Sequence, residues 1–133
     1  MQYLLDTNTC INVMRNNPIV VSRVSAVAPG DCAVSAITSY ELYTGVAKCA
    51  LPAKERSKVE LFLKTMIELS FDQAAAREAG RIRGLLESQG NVIGPYDILL
   101  AAQALALNLT LVTGNTNEFQ RVPGLLVENW QVS

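Results

Sequence analysis

Three carboxylates stand apart in this 133-residue chain: Asp6 in "YLLDTNTCI", Glu41 in "SAITSYELYTG" and Asp97 in "GPYDILLAAQALAL". Most of the 12 acids, among them Glu55, Glu60, Glu68, Glu78 and Glu87, lie between lysines and arginines and read as solvated charge. Asp6, Glu41 and Asp97 instead sit inside apolar runs where helices begin. Each has a plain structural role on offer. Asp6 suits an N-cap, "TSYE" (Thr38 to Glu41) matches a capping box, and Asp97, two residues after Pro95, falls in a first turn where the helix dipole favours an anion. Asp6 also has two chemical roles open to it, as a metal ligand or as an acceptor of a phosphoryl group.

What the chain lacks narrows the chemistry. It contains no histidine, which excludes Ser-His-Asp and Cys-His catalysis and any zinc site built on imidazole. Cys10, Cys32 and Cys49 are odd in number, widely spaced and without a C-x-x-C pair, so buried reduced thiols are expected rather than a disulfide framework or structural zinc. Gathered carboxylates repel one another and raise their own pKa values unless a cation neutralises them. Hard oxygen donors without His or Cys select Mg²⁺ or Mn²⁺. Capping requires no convergence of the three acids, whereas metal binding does.

The elements that must position these groups follow from pattern and punctuation. A strand is expected at 2–5, a helix from Thr7 to about Arg15, and a second helix from Pro18 to about Val27. "CAVS" (32–35) reads as a strand leading into a helix that ends near Cys49. Pro52 opens an amphipathic helix to about Ile67, with Val59, Phe62, Leu63, Met66 and Ile67 as its apolar stripe. Short strands at 69–71, "LTLVT" (109–113) and 125–127 alternate with helices at 73–88 and from Pro95. This alternation implies one α/β domain over 1–133, with a short, mostly parallel central sheet. In such a sheet Asp6 and the segment after Thr113 lie at carboxyl strand ends, where a switch in strand order makes a crevice. Asp97 belongs to the helix before a strand and reaches that edge only if its start folds over the rim. After "LTLVT", "GNTNEF" offers Asn115 and Glu118, either as a plain Asn/Gly turn or as a hydrogen-bonding group and a fourth acid for the site.

Together "LLDTNTCI", "SAITSYELYTG", "IGPYDILLAAQA" and "LVTGNTNEF", in this order over nearly the whole chain, resemble the PIN domain, and within it the VapC-type ribonuclease toxins of type II toxin–antitoxin pairs. The resemblance implies a three-layer α/β/α sandwich and a Mg²⁺- or Mn²⁺-dependent endonuclease of single-stranded or looped RNA. It further implies a homodimer inhibited by a cognate antitoxin, with DNA met only through the antitoxin complex. The family's acids fall on Asp6, Glu41 and Asp97, and Thr7 matches its small hydroxyl residue. Its fourth acid aligns with Asn115, a departure from the pattern, with the acid shifted to Glu118.

RNA needs cations beside an acidic pocket, and the net charge of −1 supplies no general attraction. Lys48, two helical turns beyond Glu41, and Arg83 in "IRGLLESQG" are the candidate phosphate contacts. The basic run from Lys48 to Lys64 otherwise reads as a solvated helix face. Tyr40, Tyr43 and Tyr96 flank the acids as base-stacking groups or as core. The absence of a leader pattern and of any long apolar run suggests a cytoplasmic protein. Two other readings remain. A non-catalytic PIN-like module could act with an antitoxin on DNA. An aspartate-nucleophile phosphatase would want an acid where Asn8 stands.

Overall fold

The computed structural model describes residues 1–132. Five short strands form one sheet: β1 (Tyr3–Leu5), β2 (Cys32–Ser35), β3 (Ile67–Leu69), β4 (Thr110–Val112) and β5 (Val127–Glu128). Their order is β3-β2-β1-β4-β5, and every pairing is parallel. The helices are α1 (Thr7–Met14), α2 (Pro18–Ser25), α3 (Ala36–Lys48), α4 (Pro52–Lys64), α5 (Gln73–Ser88), α6 (Pro95–Ala106) and α7 (Thr116–Phe119).

Strand periodicity divides the core into two layers. Leu4, Ala33 and Leu111 face one side and pack with Ala79, Ile82, Leu86, Ile98 and Ala102 of α5 and α6. Their neighbours Leu5, Val34 and Val112 face the other side and meet Cys10, Leu42, Val46, Val59 and Phe62 of α1, α3 and α4. The three-layer α/β/α expectation is met. With both faces covered, the inner strands β1, β2 and β4 are buried nearly throughout, as central parallel strands are, while the edge strands β3 and β5 are partly exposed.

Punctuation residues act where expected. Asn16 takes a positive φ of 57° after α1, and the Asn17 side chain accepts from the amides of Ile19 and Val20 to cap α2. Some boundaries differ from the sequence expectations. Helix α4 stops at Lys64, where Thr65 bonds back to the Phe62 carbonyl, and Ile67 begins β3 instead of extending the apolar stripe. Met66 still packs on that core from the connecting turn, so the helical spacing continues past the helix. Strand β3 therefore lies at 67–69 rather than 69–71, and β5 at 127–128 rather than 125–127. The short helix α7 is an addition to the elements expected from the sequence. No described helix is long and apolar enough to cross a membrane.

Candidate active site

The chain adds β2 and β3 on one side of β1, then crosses over to add β4 and β5 on the other. The switch point therefore lies between β1 and β4, and a crevice opens at their carboxyl ends. Asp6 follows β1 directly, and Gly114 and Asn115 leave β4 at the same edge. Helix α3 starts from that edge after β2 and carries Glu41 in its second turn. The placement of Asp97 needs no bent rim. A helix between parallel strands runs against them, so the start of α6, which feeds β4, lies over the carboxyl edge.

Asp6 keeps its capping role and remains part of the cluster. Its Oδ1 accepts from the Thr9 amide at 2.8 Å, and the side chain is buried, with 6% of the residue exposed. Its backbone N–H donates to the Val112 carbonyl at 2.9 Å, which ties the β1 exit to β4. Glu41 is not half of a capping box. Ser35 caps α3 by accepting from the Ile37 amide, so Thr38 lies inside the helix. Glu41 instead accepts from the Thr7 hydroxyl at 2.7 Å, and the Thr7 and Thr38 hydroxyls are in hydrogen-bond contact at 3.1 Å. Thr7 thus holds Glu41 toward the start of α1.

Asp97 carries the clearest electrostatic signature. Burial, a hydrogen bond with Glu118, and the charges of Glu118, Asp6 and Glu41 push its carboxyl from 3.8 up to about 6. All four acids therefore share one field. Asn115 orients the fourth by donating from Nδ2 to Glu118 Oε2 at 2.8 Å. Gly94 caps α6 without a side chain, and a Cβ there would lie 3.2 Å from Asp97 Oδ2.

The acids share an edge and a potential without forming a closed cage. Among the described residues no three His, Cys, Asp or Glu side chains are arranged to hold an ion by themselves. The donor set fits Mg²⁺ or Mn²⁺ nonetheless. Mg²⁺ keeps several waters and needs only one or two carboxylates, and a carboxyl whose pKa is raised by burial and by its acidic neighbours marks a site short of positive charge. Cys10 offers no competing nucleophile, because burial first and then Asp6 hold its thiol well above the usual range. No disulfide forms; Cys10 and Cys32 are buried, while Cys49, against expectation, is only partly so.

Neither proposed cation is paired with a site acid among the described residues. Arg83 is exposed on α5 and donates to Glu87 at 2.8 Å rather than to a site acid. Lys48 is exposed in the last turn of α3 and joins none of the ion pairs among the described residues. Lys58 and Arg15 border grooves beside the acids instead. Arg15 was legible in principle, since Asn8, Ile11, Asn12 and Arg15 share one face of α1. Tyr40, Tyr43 and Tyr96 are exposed rather than core, and Tyr40 and Tyr96 meet edge to face with their hydroxyls 3.0 Å apart.

The Asp97 shift predicts a pH dependence of stability. Between roughly pH 4 and pH 6 the folded chain keeps a proton that the unfolded chain has released, so stability falls as pH rises through that window. An Asp97→Asn variant lacks this loss. Its melting temperature relative to the parent is expected to climb from about pH 4.5 to about pH 7 in the absence of divalent ions. A difference that stays flat across the titration would rule out a protonated Asp97.

The fold and the acidic switch point define a class, and comparison with known proteins agrees. The PIN domain family model matches residues 3–125, and the chain belongs to that family. Within it, the chain is similar to the tRNA(fMet)-specific endonuclease VapC of Shigella flexneri, 37% identical over 130 residues and 98% of each chain. It is also similar to the ribonuclease VapC2 of Haemophilus influenzae, 39% identical over 131 residues and again 98% of each. Among solved structures, DNA-bound VapBC from Salmonella typhimurium superposes with a TM-score of 0.93 at 36% identity, covering 98% of each chain. VapBC2 from Rickettsia felis, bound to a DNA fragment from its promoter, gives 0.91 at 36% identity over 98% of this chain and 99% of the other.

Proposed function

We propose that this single-domain chain is a divalent-metal-dependent endoribonuclease that hydrolyses single-stranded or looped RNA in the cytoplasm, as the toxin of a toxin–antitoxin pair. The observation that carries this reading is the placement of Asp6, Glu41, Asp97 and Glu118 at the carboxyl edge around the β1–β4 switch point, near enough for the other three to act on Asp97. The near-full-length likeness to VapC ribonucleases supports the same assignment.

Asp6 and Asp97 are the residues that would hold Mg²⁺ or Mn²⁺, with Glu41 a further ligand or the group that orients water. When bound, the ion supplies an acidified water and neutralises charge on the phosphate. The chain's own residues do the positioning. The Thr9 amide engages one oxygen of Asp6 and fixes its carboxylate at the end of β1. Thr7 holds Glu41, and Asn115 holds Glu118 beside Asp97. Water attack in line with the leaving 3′ oxygen leaves a 5′-phosphate and a 3′-hydroxyl. A phosphatase with Asp6 as nucleophile is disfavoured, because Asn8 replaces the acid it needs and Asp6 is buried as a cap.

A groove of about 840 Å³ between α1, α3 and α4 has Met14, Leu42 and Val59 along it and Glu41 and Lys58 at its sides. This is the seat we assign to a segment of the cognate antitoxin, since the solved relatives are VapBC complexes. An amphipathic segment laid in such a groove buries apolar anchors and covers the catalytic acids.

Purified protein is expected to cut labelled single-stranded RNA when Mg²⁺ or Mn²⁺ is present, and EDTA is expected to abolish the cutting. Cleavage at full rate in EDTA would overturn the metal dependence. Intact RNA with every divalent ion tried would overturn the nuclease reading.

A further inference from the structure

A second cavity of about 430 Å³ lies between the face of α1 that carries Asn8 and Asn12 and the β4 exit at Gly114 and Asn115. We propose that it is a nucleobase subsite which reads a purine next to the bond that is cut; this rests on the endoribonuclease reading above. Its size falls in the range of small-molecule sites, roughly 300–1,000 Å³. Asn8, Asn12 and Arg15 enter it from one face of α1, and Asn115 and Gln131 close it from the β4 exit and the C-terminal segment.

The pocket is built. Gln131 lies over Gly114 so closely that a Cβ at that glycine would come within 2.6 Å of Gln131 Oε1, so any side chain there would displace the amide. The Gln131 backbone N–H donates to Asn129 Oδ1 at 2.8 Å, and the preceding residue, Trp130, is buried. The segment is thus anchored while its amide stays unused. Among the described residues, the side chains of Asn8, Asn12, Arg15 and Gln131 make no hydrogen bond or ion pair with protein groups.

The chemistry of the lining selects the ligand. No carboxylate borders the cavity, so an RNA segment meets no repulsion from its walls. A phosphate pocket would present several cations; this one presents a single guanidinium among neutral amides. Each amide offers a donor and an acceptor, the pattern that pairs with the edges of an unstacked base. Asn and Gln complement adenine and Arg complements guanine, which together favour a purine. Asn115 belongs to both sites, lining the pocket and donating to Glu118, whose carboxylate lies close enough to Asp97 to raise its pKa. A base seated here is therefore adjacent to the reacting phosphodiester.

The direct test titrates the parent protein with AMP, GMP, CMP and UMP while the side-chain amide signals of Asn8, Asn12 and Gln131 are followed by NMR. AMP or GMP is expected to shift them well beyond CMP and UMP. Signals that ignore all four, or answer all four alike, overturn the purine subsite. In parallel, Asn12→Leu and Gln131→Leu are each expected to lower kcat/KM on the preferred RNA about tenfold through KM, and to narrow the preference for purine over pyrimidine. Impaired antitoxin binding with an unaltered base preference would assign the pocket to the partner protein and overturn the proposal. A parent that cleaves RNA while its amides ignore nucleotides sinks the subsite alone. A parent that cleaves no RNA sinks the endoribonuclease reading and the subsite with it.

Discussion

Asp97→Asn is expected to slow RNA cleavage about a thousandfold while leaving a chain that folds and, near neutral pH, melts above its parent. A divalent ion contributes several kcal/mol of charge stabilisation at a phosphate, and each 1.36 kcal/mol is a decade in rate, so its loss costs on the order of three decades. The stability effect has the opposite sign. At neutral pH the parent must ionise a half-buried carboxyl against Glu118, Asp6 and Glu41, and the amide removes that cost. Asparagine also keeps a donor for Glu118, so the neighbouring contact survives. Single-turnover cleavage of a labelled RNA, paired with a calorimetric melt of both proteins, reads the two effects together. An Asp97→Asn protein with near-parental cleavage would remove Asp97 from the reaction. One with lost cleavage and a lowered melting temperature would mean that the acid is needed for folding, and the catalytic inference would fail.

The opposed effects of that substitution reflect how the site is made. Asp6 looked like a choice between cap and ligand, yet one carboxylate has two oxygens, and Oδ1 alone satisfies the Thr9 amide. The order of strands, helices and core faces was legible because Leu4–Leu5, Ala33–Val34 and Leu111–Val112 place apolar groups on both faces of the sheet. The position of Asp97 was legible as well, once the direction of a crossover helix is considered. Side-chain partners across the chain were not. Nothing local joins Thr7 to Glu41, Glu118 to Asp97 or Tyr40 to Tyr96, because those contacts arise only when separate strand ends share an edge. Local pattern also misled at "TSYE", where Ser35, ending the buried strand β2, took the cap and left Thr38 and Glu41 inside the helix. Helix α7 has a single turn, too short to carry a periodic signal, and its buried anchor, Phe119, is needed to recognise it.

Trp130→Ala is expected to cost about 3–5 kcal/mol of stability, a large part of the roughly 5–15 kcal/mol that holds a typical domain. The indole is 2% exposed and packs with Leu5, Val34 and Val112 on the face of the sheet that carries α1, α3 and α4. Tyr3 meets it edge on at 4.9 Å, the Arg23 guanidinium lies 5.8 Å from its ring centre, and its Nε1–H donates to Glu128 Oε1 at 3.0 Å. Removing the ring leaves a cavity against three strands and frees the segment that seats Gln131 over Gly114. Trp130→Phe retains most of the buried area and loses the indole hydrogen bond and part of the cation–π contact, so roughly 1–2 kcal/mol is expected from it. Urea unfolding followed by circular dichroism separates the two, since Trp130 is the chain's single tryptophan and fluorescence would lose its reporter. The gap between the variants is the decisive quantity. If alanine and phenylalanine destabilise equally, polar tethering rather than burial holds the C-terminal segment. If alanine costs under about 1 kcal/mol, the segment is not part of the core at all and cannot hold one wall of the pocket beside the acids.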